Sequence, residues 1–423
     1  MRTTSGTSGT SGTSGSTSTT TAWPGLDRVP GGARTAVSSA VARRLFVAAI
    51  DRLPVTVHLE GDDGRTVGLG GPAMTVHRPD ELFARLGRDG LIGFGEAYLT
   101  RAWETDDLTA FLTVLAAHVA DLVPEPLQRL RRLVLRGRPR RHRTTQDRTR
   151  DLIAHHYDLS NDLFRLFLDD TLTYSSAWFD GDREGDLHQA QERKIERLLD
   201  QAHVGPGTRV LEIGTGWGEL AIRAAARGAT VRTITLSVEQ QALARQRIAD
   251  AGHGGAVRVD LCDYREVDGE YDAVLSVEMI EAVGHEYWAT YFRTLDRVLA
   301  PGGRAAIQAI LMPHDRMLAT RGSYTWINKY IFPGGFLPSA QAIDEVTARH
   351  TRLRVVDRLA FGPDYAETLR RWDDAFWDRR DEVLALGFDE TFLRMWHFYL
   401  CYSRAGFAAG YLDVQQLTLS RED

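Results

Sequence analysis

Cysteine is nearly absent, with only Cys262 and Cys401 in 423 residues. That excludes a disulfide framework, and one bridge between the two is not expected in a reducing compartment. Also missing is any apolar run near the roughly 18 residues a membrane-spanning helix needs. The start of the chain lacks the apolar stretch of a secretory leader, so a cytoplasmic location is expected. Charge is balanced closely enough, at −6 net, to point to no partner class by itself. Residues 1–22 lack apolar content, being almost entirely Ser, Gly and Thr after the first two positions. Such a stretch has nothing to bury against the entropy of ordering and is expected to be a disordered tail.

What the sequence does contain is organised around Arg209-Val210-Leu211-Glu212-Ile213-Gly214-Thr215-Gly216-Trp217-Gly218-Glu219-Leu220. A short apolar run breaks into three alternating glycines and resumes as an amphipathic segment, Leu220 to Arg227. The pattern predicts a buried strand, a tight turn and a helix. Glycines in the turn remove Cβ atoms, so backbone can approach a ligand closely. Further strands are predicted at Thr230 to Leu236, Ala256 to Leu261 and Tyr271 to Val277. Each is followed by polar residues: Ser237 and Gln240, then Cys262, Asp263 and Tyr264, then Glu278. Open α/β sheets bind ligands at those strand ends.

Before this block, residues 23–125 read as a smaller α+β domain. It has a helical pattern at Val37, Val41, Leu45 and Ala48, alternation at Val55, Val57 and Leu59, and helical spacing from Leu82 to Tyr98. No polar convergence marks an active site there, so scaffolding or lipid handling is the expected role. Residues 126–150 form a basic linker, with ten arginines and one aspartate between Arg129 and Arg150. It reads either as solvated surface or as an amphipathic segment resting on anionic headgroups. Nucleic-acid binding ranks below both, because no recognisable nucleic-acid module accompanies the arginines.

Glu212 to Gly218 follows E-x-G-x-G-x-G and resembles the first turn of class I S-adenosylmethionine (SAM) methyltransferases. Further motifs narrow the likeness: His155-His156-Tyr157-Asp158 to Phe164, Leu172-Thr173-Tyr174-Ser175-Ser176, Ser276 to Gly284, Trp326 to Gly335, and Arg404 to Phe407. Together they resemble the cyclopropane-fatty-acyl-phospholipid synthase family, in the branch that includes plant-type enzymes and bacterial relatives. The likeness implies residues 151–423 as the catalytic domain, a Rossmann-like, mainly parallel sheet flanked by helices. It implies SAM as cofactor, membrane phospholipids with unsaturated acyl chains as substrate, peripheral membrane association and a homodimer.

The resemblance also assigns residues. Tyr174, Ser175, Gly214 and Gly216 should line the methionine part of SAM, Thr235 and Gln240 the ribose, and Asp263 and Tyr264 the adenine. Ser237 or Glu239 would on a plainer reading cap the next helix. In the family a bound bicarbonate acts as base, held by a Cys, a Glu, a His, a main-chain group beside an Ile, and a Tyr. Here the Glu is Glu281, the Ile is Ile310 and the Tyr is Tyr399, while Ser176 stands at the Cys position and Gln308 at the His position. Tyr157 is grouped with Ile310 on the substrate and anion side. Ser and Gln can still donate to an anion, but Glu278 adds a second carboxylate that repels one. Bicarbonate and a direct glutamate base are thus both open.

The implied reaction is methyl transfer to a cis alkene, followed by proton loss that closes a cyclopropane. Resolving the same cation by hydride shift to a methylene- or methyl-branched chain is the alternative. A catalytically inactive lipid- or SAM-binding protein is the alternative of another class. Nothing spaces His155, His156, His285 or His314 as metal ligands, so no metal is expected.

Overall fold

The computed structural model describes residues 23, 25–61, 64–118 and 160–421. The Ser/Gly/Thr tail, the basic linker, and His155, His156 and Tyr157 lie outside the described residues.

Two sheets organise the chain. The first has four strands in the order β2-β1-β3-β4: β1 Thr56–Leu59, β2 Arg65–Val67, β3 Ala73–Val76 and β4 Trp103–Glu104. The alternation read at Val55, Val57 and Leu59 is its inner face, and all three side chains are buried. Helix Ala33–Ile50 forms as its periodicity predicts, but the stripe faces outward. Val37, Val41 and Leu45 are 68%, 53% and 38% exposed. The helix packs through another face instead: the Phe46 ring meets Phe83 edge-on at 5.7 Å, and a Cβ on Gly87 would lie 2.6 Å from the Ser38 carbonyl carbon. The close approach at Ser38 needs a residue without a Cβ opposite it.

The second sheet has seven strands in the order β10-β11-β9-β8-β5-β6-β7. They are β5 Arg209–Ile213, β6 Thr230–Thr235, β7 Val257–Leu261, β8 Tyr271–Val277, β9 Leu299–Leu311, β10 Leu353–Ala360 and β11 Asp413–Arg421. β5 through β9 pair in parallel, and β11 runs antiparallel to both β9 and β10. From β5 the chain progresses outward one way to β6 and β7, then returns to lay β8 and β9 on the other side. The reversal places a crevice at the carboxyl ends of β5 and β8, where ligands bind in such sheets.

One apolar core joins the first sheet to helices Gly362–Asp378 and Glu390–Ala408 near the end of the chain. Trp103, Trp372 and Trp396 are wholly buried in it. Truncating any one to Ala would cost about 3–5 kcal/mol. Arg394 completes the seam, its guanidinium 4.1 Å above the Tyr98 ring while donating to the Tyr98 carbonyl. Among the described residues, no helix is long and apolar enough to cross a membrane.

Candidate active site

β5 runs straight into the glycine turn. Gly214 (φ +99°) passes so close to the Met279 side chain that an added Cβ would sit 2.6 Å from its Cγ. Gly216 (φ +52°) differs, since a Cβ there would meet nothing within 4 Å. The backbone at Gly216 therefore borders open space in a conformation that side chains other than glycine rarely adopt.

That space is a cavity lined by Tyr174, Ser175, Gly214, Gly216, Thr235, Gln240 and Tyr264 among others. The fold thus brings seven of the eight residues read as cofactor-contacting to one place. Thr235 donates to Gln240 Oε1 at 2.8 Å, fixing the amide at the helix start. Ser237 caps that helix, accepting from the Gln240 amide. Asp263 falls outside the lining. Its carboxylate accepts from Arg265 Nε at 2.8 Å and from the Arg265 backbone at 3.0 Å, opening the short turn that presents Tyr264.

Three further residues of the lining bear on its chemistry, and of these Lys194 went unmarked in the sequence. Cys262 stands beside Tyr264. Glu212 is 4% exposed, and its Oε2 has no hydrogen-bond partner. Burial pushes its carboxyl up to about 8, against the neighbouring Thr233 hydroxyl, which lowers it. Lys194 is wholly buried and donates to Ser175 Oγ at 2.7 Å. Burial brings its ammonium down to about 8, while Glu278 and Asp169 act to raise it. Lys194 and Lys329 are the only lysines in the chain. Lysine suits this spot because an ammonium can lose its charge when buried, which a guanidinium cannot. Glu212 was the first letter of the motif, read for its glycines alone.

Beside the cavity stands a second cluster, joined to it through Tyr174 and Glu278. The Tyr174 and Tyr399 hydroxyls share a 2.8 Å hydrogen bond. Glu278, directly after β8, has φ +50°. Such a conformation costs a non-glycine residue about 1–3 kcal/mol and persists only where its surroundings impose it. Here they do: Glu278 accepts from the Ser176 backbone (3.0 Å), Gln308 Nε2 (2.8 Å) and Tyr365 Oη (2.7 Å), while its own N–H donates to the Gln308 carbonyl. Burial raises its carboxyl, and those donors together with Lys194 oppose the rise.

Ser176 and Gln308 were read as able to donate to an anion, and the geometry turns both elsewhere. Ser176 Oγ donates to the Ala177 carbonyl at 2.9 Å. Gln308 Nε2 donates to Glu278 and to the Ser176 carbonyl, which occupies both amide hydrogens. Glu281 is held by one oxygen: the Ile310 N–H donates to Oε1 at 2.5 Å, and Oε2 is buried without a partner. Burial first, and then the Glu278 charge, push the Glu281 carboxyl up to about 8.

The segment around Tyr324 to Phe336 closes this cluster. Thr325 and Asn328 form a capping box on helix Trp326–Tyr330, and Asn328 Nδ2 donates to the Gly335 carbonyl, folding the loop back. Phe336 N–H then donates to the Glu281 carbonyl, and the Phe332 ring stands 6.0 Å from that of Tyr399. The first-sheet region anchors the loop: Glu96, wholly buried, receives both the Lys329 ammonium and the Tyr330 hydroxyl. No sequence pattern marked Glu96 for this contact, because Lys329 and Tyr330 lie more than two hundred residues away.

The cavity suits a compact cation. It offers an orphaned carboxylate oxygen on Glu212, a second carboxylate on Glu278, and a Cβ-free backbone at Gly216. A ligand bearing an ammonium and a sulfonium meets those requirements.

Comparison with known proteins agrees. The mycolic acid cyclopropane synthetase family matches residues 144–417. The chain is 55% identical over 409 residues to tuberculostearic acid methyltransferase UfaA1 of Mycobacterium tuberculosis, covering 95% of each. It is 35% identical over 351 residues to the cyclopropane-fatty-acyl-phospholipid synthase of Escherichia coli, covering 82% of this chain and 87% of that one. Among solved structures, mycolic acid cyclopropane synthase CmaA1 complexed with SAH and CTAB superposes with a TM-score of 0.59 at 32% identity, over 64% of this chain and 97% of that one. With this sheet order, this glycine turn and these relatives, the chain belongs to the mycolic acid cyclopropane synthetase family and is a SAM-dependent methyltransferase.

Proposed function

We propose that the protein methylates the double bond of an unsaturated phospholipid acyl chain and releases a methylene-branched chain, with Glu281 as the base. The observation that carries this reading is the pairing at the second cluster. The Ser176 hydroxyl and Gln308 amide hydrogens are consumed within the protein, and Glu281 Oε2 is left unpartnered.

When bound, SAM supplies an electrophilic methyl group. Tyr174, Ser175, Gly214, Gly216, Thr235, Gln240 and Tyr264 would hold it, with Glu212 facing its ammonium. On the lipid, the methylated alkene carries a cation on the neighbouring carbon. An anion held against the new methyl group would strip its proton at once and close a cyclopropane. Without that anion, hydride moves from the methyl-bearing carbon to the cationic one, an internal step that needs no base. Glu281 then takes a proton from the methyl, leaving C=CH₂. The tuberculostearic name of the 55% identical relative supports a branched product. A saturated branch would need a hydride from outside this site. The aromatic walls of Phe332, Tyr399 and Tyr174 exclude water that would quench the cation.

Lipids from a host rich in monounsaturated phospholipid and expressing the chain should gain one CH₂ by mass and show olefinic methylene protons by NMR. High-field cyclopropane protons in their place would establish ring closure as the outcome and overturn the branched reading.

A second expectation concerns cofactor binding. Glu212 and Glu281 are both raised to about 8 by burial, so at neutral pH the empty site holds them mainly protonated. A cationic ligand favours the ionised form of Glu212, so binding releases protons and SAM affinity rises with pH up to about 8, by at most tenfold per unit. The same linkage has the opposite sign for the empty protein. Its raised carboxyls favour folding below about 4.5, and that contribution is lost as pH climbs to about 8. Calorimetry in buffers of different ionisation enthalpy measures the proton release, which Glu212→Gln should reduce. A binding heat independent of buffer would remove Glu212 from the ligand.

A further inference from the structure

Away from this site, three side chains of metal-ligating type converge between the last two long helices. Asp373 comes from helix Gly362–Asp378, and His397 and Cys401 come from helix Glu390–Ala408. His397 and Cys401 are four residues apart, so one helix face presents both. The sequence reading passed over them, because Asp373 is brought in only by the packing of the two helices.

Their distances are close to those of a tetrahedral shell. Cys401 Sγ lies 3.4 Å from Asp373 Oδ2, 3.7 Å from His397 Nδ1 and 3.8 Å from His397 Nε2. Zinc bonds of about 2.3 Å to sulfur and about 2.0–2.2 Å to nitrogen or oxygen place tetrahedral ligand atoms roughly 3.3–3.6 Å apart. The remaining contact, Asp373 Oδ1 to His397 Nδ1, is a 2.7 Å hydrogen bond, which must open on loading. Cys401 and Asp373 are buried, while the His397 ring is about one-fifth exposed, so the cluster reaches solvent through it. The Trp377 ring lies 4.8 Å from it, tilted by 40°. A coordinated metal deprotonates a thiol outright.

We propose that Asp373, His397 and Cys401 bind a zinc ion that staples these two helices together. Thiolate, imidazole and carboxylate in one small shell select zinc over magnesium or calcium. The staple bears on the active site because the same helices carry Tyr365, which donates to Glu278, and Tyr399, which bonds to Tyr174. Metal loading would fix the spacing of those hydroxyls without touching the lipid.

Reduced, metal-free full-length protein titrated with cobalt(II) should develop thiolate-to-cobalt absorption in the near ultraviolet and strong tetrahedral visible bands, saturating at one equivalent. Zinc should displace both. Cys401→Ser should abolish the near-ultraviolet band, Cys262→Ser should keep it, and His397→Gln should weaken cobalt affinity by at least about 100-fold, more than loss of an outer-sphere partner. Wild-type protein that gives no such bands, or a band that survives Cys401→Ser and disappears in Cys262→Ser, would overturn the site. The wild-type titration decides the matter even if a variant fails to fold.

Discussion

Glu281→Gln should lower turnover on an unsaturated phospholipid by about two to four orders of magnitude, the range of a lost general base, while leaving SAM affinity unchanged. The substitution keeps the shape and keeps an oxygen to accept from the Ile310 N–H, so the loop that binds the Glu281 carbonyl stays in place. What disappears is the oxygen that has no partner in the protein and can receive a proton. Because the carboxyl is raised to about 8 by burial and then by Glu278, and the ionised form is the active one, wild-type kcat/KM should fall tenfold per unit as pH drops below about 8. The residual activity of Glu281→Gln should lack that limb. Removing bicarbonate from the buffer should change neither protein. Glu278→Gln is the contrasting case: it turns an acceptor of three hydrogen bonds into a partial donor facing donors. Its cost should appear as about 1–3 kcal/mol of lost stability. A Glu281→Gln enzyme with near wild-type turnover would take the base out of this cluster altogether.

Local signals were legible in the sequence, and distant ones were not. β5, the glycine turn and the strand Tyr271–Val277 could be read because an apolar run, turn residues and periodicity all sit within a dozen positions. The outer strands β10 and β11 gave no comparable signal; β10 is held as an edge strand through its antiparallel partner. Motif positions grouped Ser176, Gln308 and Tyr399 with the two glutamates, and the fold brings them together with Tyr174, but the direction of their hydrogen bonds was not legible. Which way Gln308 turns depends on Glu278, whose strained backbone depends in turn on Tyr365 and Ser176. The helix Ala33–Ile50 shows the reverse failure. Periodicity predicted the helix, yet Val37, Val41 and Leu45, which carried the pattern, face outward, and the packed face is built from Phe46, Val47 and the backbone that approaches Gly87.

The glycine turn supplies the other large effect, since Gly216→Val should weaken SAM binding by at least about 100-fold, or about 2.7 kcal/mol. Two costs combine. At φ +52° a β-branched residue is strained by about 1–3 kcal/mol, which a protein of ordinary stability can bear while staying folded. Its methyl groups then project into the open side of the turn, the space the cofactor would fill, since nothing of the protein lies within 4 Å of that Cβ. Gly216→Ala separates the two, because it shares the backbone strain with little of the bulk and should lose less affinity. Gly214→Ala should behave differently: its Cβ would strike the Met279 side chain at 2.6 Å, so the loss should appear first in melting temperature. Calorimetric titration of each folded variant with SAM, beside thermal unfolding without it, distinguishes these outcomes. Undiminished affinity in a folded Gly216→Val protein would mean that the cofactor does not lie against this turn, and the assignments of Tyr174, Thr235 and Tyr264 would fall with it.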